Sequence, residues 1–327
     1  MVDDPRQPSS PTQPSSPAQP SSSPQPSGSE ADGLRIAVLG PGGVGGLLAA
    51  LLARAGNDVL CLAGQQTAAA IRERGLKVVS ERFGTFAVPV RAAEELAEPV
   101  DVCLVTVKAP LLDEALERVP AAALGDALVV PLLNGVEHVD TLRSCYPQAT
   151  VVAATIRVES AREAPGEIRQ RSPFAALELA AMPPAEAQVR HFAAHLGRAG
   201  LDVRVRPGDE TGVLWDKLGF LGPLALLTTH AQAPAGVVRE ARRDDLEAVI
   251  TEVAAVARAE GATGDGAAVL SFFDGVPAPM RSSMQRDAEA GLPTELDAIC
   301  GAVLRAAERH GIDVPVTARL VRELQRR

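Results

Sequence analysis

Lysine and asparagine are nearly missing from this chain of 327 residues. Its 32 basic side chains include only three lysines, Lys77, Lys108 and Lys217, and its only asparagines are Asn57 and Asn134. Arginine keeps its proton in proteins, whereas a partly buried lysine can release one, so each lysine is a candidate for proton work; codon bias accounts for the scarcity equally well. Aromatic residues make up 3% of the chain, which leaves the core to Ala, Leu and Val. Basic charge is short as well. Against those 32 basic groups stand 41 acidic ones, and a formal net charge of −9 excludes a broad basic footprint for nucleic acid or an anionic membrane. No apolar run reaches the roughly 18 residues of a membrane span. The N-terminus lacks the basic region and apolar stretch of a signal peptide. Cys61, Cys103, Cys145 and Cys300 are far apart, with no CxxC and no His/Cys ligand pattern. Reduced thiols in a cytoplasmic protein are expected, not a disulfide framework or a metal site.

What is present falls into three parts. Residues 1–33 repeat Gln-Pro-Ser-Ser from Gln7, Gln13 and Gln19 and hold no aromatic side chain; such a stretch cannot bury enough apolar surface to order itself and is read as a disordered tail. From Leu34 the pattern becomes strand (Arg35–Leu39), glycine-rich turn, helix (Leu47–Ala55) and strand (Val59–Leu62), the β-α-β unit of a doubly wound parallel sheet. Further strands read at Val100–Val105, Ala127–Leu132 and Val151–Ile156, with helices near Thr67–Arg74 and Leu111–Arg118 and an edge hairpin from Leu76–Val79 and Phe86–Val90. Strands at Glu167–Arg171, Ala176–Leu179 and Val203–Val205 and a helix at Ala185–Arg198 complete this half. After about Pro207 only helical patterns appear: Gly212–Thr229, Ala235–Ala259, Thr294–His310 and Val316–Arg326. The expected fold is thus an α/β Rossmann-type domain over 34–207 followed by an all-α domain over 208–327, with the site in the cleft between them. The helical half offers a surface to a second copy, so a homodimer and a monomer both stay open.

Gly40-x-Gly42-x-x-Gly45 has the spacing of the dinucleotide fingerprint and sits between a strand and a helix, as its mechanism requires. Gly40 allows the tight turn, Gly42 lets a pyrophosphate approach the backbone, and Gly45 lets the helix pack on the strand; Gly43 and Val44 complete the loop. The second strand runs into Ala63-Gly64-Gln65, without the acid that selects NADH or the base that selects NADPH. Arg72 and Arg74, one helix further on, are in range of a 2′-phosphate but read better as a solvated helix face. Lys108 and Asn134 each directly follow a buried strand, where open α/β sheets place ligand sites; an ordinary loop and an Asn-Gly turn are the plain alternatives. Lys217 lies within Val213–Leu221, a markedly apolar helix, where desolvation would lower its pKa toward that of a general acid. Glu295 begins another helix, where a carboxylate also suits the helix dipole. His191 and His195 are read as a solvated helix face and not as metal ligands.

The stretches GPGGVGG at 40–46, TVKAP at 106–110, PLLNGVEH at 131–138, APGEIRQ at 164–170, LWDKLGF at 214–220 and RSSMQRDAEAGLPTELDAICGAV at 281–303 resemble the ketopantoate reductase family, the 2-dehydropantoate 2-reductases. They occur in the family's order and cover all but the tail. The resemblance implies NADPH-dependent reduction of a 2-keto acid such as 2-dehydropantoate to the 2-hydroxy acid, a step of pantothenate biosynthesis. It places Gly40, Gly42 and Gly45 at the pyrophosphate, Lys108 and Asn134 near the nicotinamide and its ribose, Lys217 as the catalytic lysine, Ser283 on the substrate, and Glu295 as the carboxylate that organises the site. Four positions depart from the family. Gly64 stands where an arginine usually meets the 2′-phosphate, Leu221 and Ala225 replace asparagines four and eight residues after the lysine, and Cys300 replaces another asparagine. These departures leave NADH open beside NADPH and point to a substrate bulkier or more apolar than ketopantoate, with Thr228, Thr229, His230 and Gln232 as substitute donors. They also leave open a cofactor-binding sensor or assembly protein with little catalysis.

Overall fold

The computed structural model describes residues 33–327. The tail read as disordered, residues 1–33, lies outside the described residues except for Gly33. Strand β1 (Arg35–Leu39) runs into helix α1 (Gly43–Arg54), then strand β2 (Asp58–Leu62) and helix α2 (Gln65–Arg74). Six parallel strands form the main sheet, in the order Arg91–Ala93, β2, β1, Val102–Val105, Leu128–Pro131 and Thr150–Val151. Its register decides where chemistry can gather. Leu39 pairs with Leu62 on one side and Val105 on the other, and Val105 pairs with Pro131. The loops that begin at Gly40, Ala63, Thr106 and Leu132 therefore all leave from one edge, the carboxyl edge on which open α/β sheets bind ligands.

Alternation along each strand sends successive side chains to opposite faces. Ile36, Val38, Val59, Cys61, Val102 and Leu104 join α1 in one core. Ala37, Leu39, Leu60, Leu62, Cys103 and Val105 face the other way, into a core that continues through Trp215, Leu218 and Leu226 of the helical half. One apolar interior thus runs from the sheet into the helices and fixes the wall that carries Lys217.

Several details depart from the sequence reading. The Leu76–Ser80 and Gly84–Val88 hairpin is no edge of the main sheet; with Ser160–Ala164 and Glu167–Gln170 it forms a second, four-stranded sheet, with Leu76–Ser80 in its interior. The single strand read over Val151–Ile156 breaks in two, because Thr150–Val151 closes the parallel sheet while Ala154–Arg157 pairs antiparallel with Ala176–Ala181 in a third sheet. The helix read over Thr294–His310 opens as a π-turn at Asp297–Gly301 before the α-helix Ala302–His310. Two short helices, Gly266–Gly275 and Ser283–Glu289, had no clear periodic signal. The long helix Glu210–Ala231 carries Pro223 inside it, which removes the i+4 donor of the Gly219 carbonyl. Among the described residues no helix is long and apolar enough to cross a membrane.

Candidate active site

The loops of the sheet's carboxyl edge and the first turns of the long helix wall a cleft of about 1920 Å³. That exceeds the roughly 300–1,000 Å³ of an ordinary small-molecule pocket and suits a long ligand beside a second one. Gly40, Gly42, Gly43 and Val44 form one end of it. Gly40 takes φ +82°, and its N–H donates to the Leu62 carbonyl at 3.0 Å, pinning the turn to the end of β2. A Cβ at Gly45 would lie 2.5 Å from the Gly40 carbonyl and would collide with the Thr106 hydroxyl, which itself donates to that carbonyl at 2.8 Å. Gly43 is equally confined: a Cβ there would strike the Ser160 carbonyl, while the Ser160 hydroxyl donates to the Gly43 carbonyl at 2.7 Å. Gly42 differs, since nothing approaches its Cβ position closer than 3.9 Å. It caps α1 with no side chain over the helix end. The loop is a cradle closed on the protein side and open on the cleft side.

The middle of the cleft joins three residues that lie far apart in sequence. Lys217 Nζ donates to Asn134 Oδ1 at 2.9 Å, and Asn134 Nδ2 donates to Glu295 Oε2 at 2.8 Å. The other carboxylate oxygen accepts from the Ala109 N–H at 3.3 Å, and Glu295 is only 5% exposed. Gly135 explains the approach. It holds φ +93°, and any Cβ would collide with the Ala298 carbonyl of the π-turn, so the Asn-Gly turn packs against the segment that carries Glu295. Such π-turns often mark functional sites. Burial lowers the Lys217 pKa to about 8, while the Glu295 carboxylate pulls it upward and the Arg157 guanidinium pushes it further down. His138, four residues after Asn134, is buried with its pKa lowered to about 4, by burial first and then by the Lys217 charge. An ammonium that titrates near neutrality, held by a neutral amide and backed by a carboxylate, can donate a proton to an oxygen placed before it.

Other expected site residues are placed as follows. Lys108 reaches the cleft but is half-exposed, with its Nζ on Asp287 Oδ1 at 2.7 Å. Ser283 is exposed on the cleft wall, while its neighbour Ser282 is buried and caps the helix Ser283–Glu289 by accepting from the Gln285 N–H. Leu221 lines the cleft one turn beyond Lys217; Ala225 is fully buried outside its walls. The substitute donors do not arrive. The Thr228 hydroxyl shares hydrogen bonds with the Leu224 carbonyl and Ser282, and His230 sits between Glu323 and Arg242. Thr228 lies 11 residues beyond Lys217, about 16 Å along the helix, far past the ammonium. Arg72 donates to the Ala92 carbonyl and Arg74 meets Glu73, and neither reaches the cleft. Cys300 is buried, its thiol pushed up to about 12 by burial. The solvated-face reading of His195 is corrected: with Val189, Phe192 and Leu196 it is on the buried stripe of its helix, and its Nδ1 meets Asn57 Oδ1 at 2.7 Å. No group of His, Cys, Asp and Glu among the described residues is arranged to hold a metal. Sequence reasoning missed Asp287, Ser160 and His138; only His138, four residues after Asn134, lies close in sequence to a residue singled out for the site.

Comparison with known proteins bears on this arrangement. Residues 36–184 match the sequence family described as ketopantoate reductase PanE/ApbA, and residues 210–327 match the family of its C-terminal part. The 2-dehydropantoate 2-reductase of Mycobacterium tuberculosis is 32% identical over 294 residues, which cover 88% of this chain and 95% of that protein. A PanE/ApbA family ketopantoate reductase from Ralstonia eutropha superposes with a TM-score of 0.80 at 30% identity, covering 89% of this chain and 97% of the other. A D-mandelate dehydrogenase solved with NADH and anilino(oxo)acetate shares the fold with a TM-score of 0.81 at 22% identity, over 88% and 96% of the two chains.

Proposed function

We propose that this chain, which belongs to the ketopantoate reductase family, reduces a 2-keto acid to the 2-hydroxy acid with a nicotinamide dinucleotide. The observation that carries the reading is the Lys217–Asn134–Glu295 chain, with a lysine that titrates at about 8 at the sheet's ligand-binding edge. The glycine cradle fits a pyrophosphate: Gly42 is open toward the cleft, whereas Gly43 and Gly45 have no room for a Cβ. When bound, the dinucleotide supplies the hydride. Lys217, as the ammonium, stabilises the negative charge that grows on the substrate oxygen and gives it a proton. Asn134 fixes the Nζ position, and Glu295 keeps enough of the lysine protonated at neutral pH. Residues 34–207 then hold the dinucleotide and 208–327 supply most of the substrate wall, with Ser283 on the substrate.

The finer reading concerns that wall. Beyond Lys217 the cleft is faced by Phe220, Leu221, Leu224, Val269 and Phe272, and Phe272 is 62% exposed while it packs edge-on against Phe220. An apolar surface of this kind favours a bulky 2-keto acid over ketopantoate, whose hydroxyl needs a polar partner. The D-mandelate dehydrogenase bound to an anilino oxoacetate has the same fold around a ligand of that size. The test follows the loss of reduced nicotinamide absorbance with ketopantoate and with an aryl 2-keto acid. The aryl substrate is expected to have the higher kcat/KM, and Leu221→Asn to shift the ratio toward ketopantoate. Faster turnover of ketopantoate by the unaltered protein would refute the finer reading, and no turnover of either would return the chain to a sensor role.

A further inference from the structure

The end of β2 poses a recognition problem that the rest of the cleft resolves. Position 64 is glycine, so this strand end offers neither the carboxylate that grips a ribose diol nor the cation that grips a 2′-phosphate. Arg118, carried by a different connection of the sheet, stands beside the gap. Its Nη2 lies 3.9 Å from the point where a Gly64 Cβ would stand, so its guanidinium is at van der Waals distance from where a side chain at 64 would begin. Arg118, Gly64 and Thr67 line the same part of the cleft. The helix Leu112–Leu116 and the turn after it bring Arg118 here from the connection between the strands Val102–Val105 and Leu128–Pro131. Its backbone is fixed, with the Leu96 N–H donating to the Arg118 carbonyl at 2.8 Å. One end of the guanidinium is fixed as well, since Nη1 donates to the Glu94 carbonyl at 3.2 Å. No carboxylate among the described residues pairs with it, in a chain where most arginines do have such a partner. The cation is held in place and left uncompensated, facing the cleft.

We propose that Arg118 is the residue that selects a 2′-phosphorylated dinucleotide, taking over from a different element the task that β2 leaves unmet. This rests on the reading that the cleft binds a nicotinamide dinucleotide. A planar guanidinium with a free Nη2 suits a phosphate oxygen. Glu114, on the same wall, is the carboxylate that would instead accept from the hydroxyls of an unphosphorylated ribose.

The experiment measures binding and not turnover. Dissociation constants for NADPH and NADH are determined by calorimetry for the unaltered protein, Arg118→Met, Arg118→Lys, Glu114→Gln and the double variant Arg118→Met/Gly64→Arg. The unaltered protein is expected to prefer NADPH. Arg118→Met should weaken NADPH roughly 10- to 100-fold, the worth of one charge-assisted bond to phosphate, and leave NADH within about twofold. Arg118→Lys should fall between, and it serves if the methionine variant does not fold. Gly64 holds φ −60°, open to any side chain, so the added arginine should restore NADPH binding in the double variant. Equal losses for both dinucleotides would mean that Arg118 stacks on the shared adenine, and would overturn the proposal. So would an unchanged NADPH constant, or an NADH preference that Glu114→Gln abolishes. An unaltered protein that binds neither dinucleotide would sink the dinucleotide reading itself.

Discussion

Replacing Lys217 by methionine should make the protein slower and more stable at once. Burial lowers this lysine from 10.5 to about 8, so holding it charged in the fold costs about 3 kcal/mol at neutral pH. Methionine removes that cost and forfeits the charge-assisted hydrogen bond to Asn134, worth about 2 kcal/mol. The net gain is about 1 kcal/mol, a rise of about 2 °C in Tm for a chain of this size. Removal of a general acid costs about 10²- to 10⁴-fold in kcat. The pH dependence follows with a definite sign. Between about pH 8 and 10.5 the unfolded chain holds a proton that the folded lysine has lost, so the stability of the unaltered protein should climb through that window. Its kcat should fall as pH rises through about 8, because the donor is then deprotonated. Lys217→Met should show neither trend. Urea unfolding and pH–rate profiles on the same preparations provide both readouts. A variant that is less stable than the parent, or whose kcat stays within tenfold, would refute the assignment of Lys217 as a desolvated proton donor.

Three further outcomes are expected. Glu295→Gln removes the charge that pulls the lysine upward, so the alkaline limb of the pH–rate profile should move below pH 8; an unmoved limb would mean that Glu295 only positions Asn134. Gly42→Ala meets no atom within 3.9 Å and should leave Tm unchanged while weakening dinucleotide binding tenfold or more, whereas Gly45→Ala collides with Thr106 and should lower Tm as well; circular dichroism melts and calorimetry separate the two. His138, lowered from 6.5 to about 4, stays neutral in the fold while the unfolded chain binds a proton, so stability should drop as pH falls between those values by about 3 kcal/mol. His138→Gln should flatten that part of a stability–pH curve.

How much of this was legible in the sequence depends on the range of the interaction that fixes each feature. The glycine cradle was readable because strand, turn and helix follow one another within twenty residues, and Gly40, Gly42 and Gly45 answer to neighbours in that unit or one strand away; the confinement of Gly43 by Ser160, 117 residues on in the second sheet, was not. The proton-donor chain was not. Lys217 and Asn134 are 83 residues apart and Asn134 and Glu295 are 161 apart, and the contact that unites them is the packing of Gly135 on Ala298, which no periodicity encodes. His195 failed for another reason: its place in the Val189–Phe192–Leu196 stripe was visible, but polarity was given more weight than helical phase.

The two replaced asparagines show why the distinction matters for function. In sequence, Leu221 and Ala225 look like paired losses from a polar substrate site. In the fold only Leu221 faces the cleft, where it continues the Phe220–Phe272 surface; Ala225 is fully buried behind it. An asparagine at 225 would have to satisfy its amide inside an apolar core, at a cost of about 1–3 kcal/mol if it found no partner. Alanine there follows from packing, and leucine at 221 bears on the substrate. The substrate question therefore turns on the single position 221 and the aromatic pair beside it, which makes Leu221→Asn a sharper probe of specificity than restoring both asparagines together.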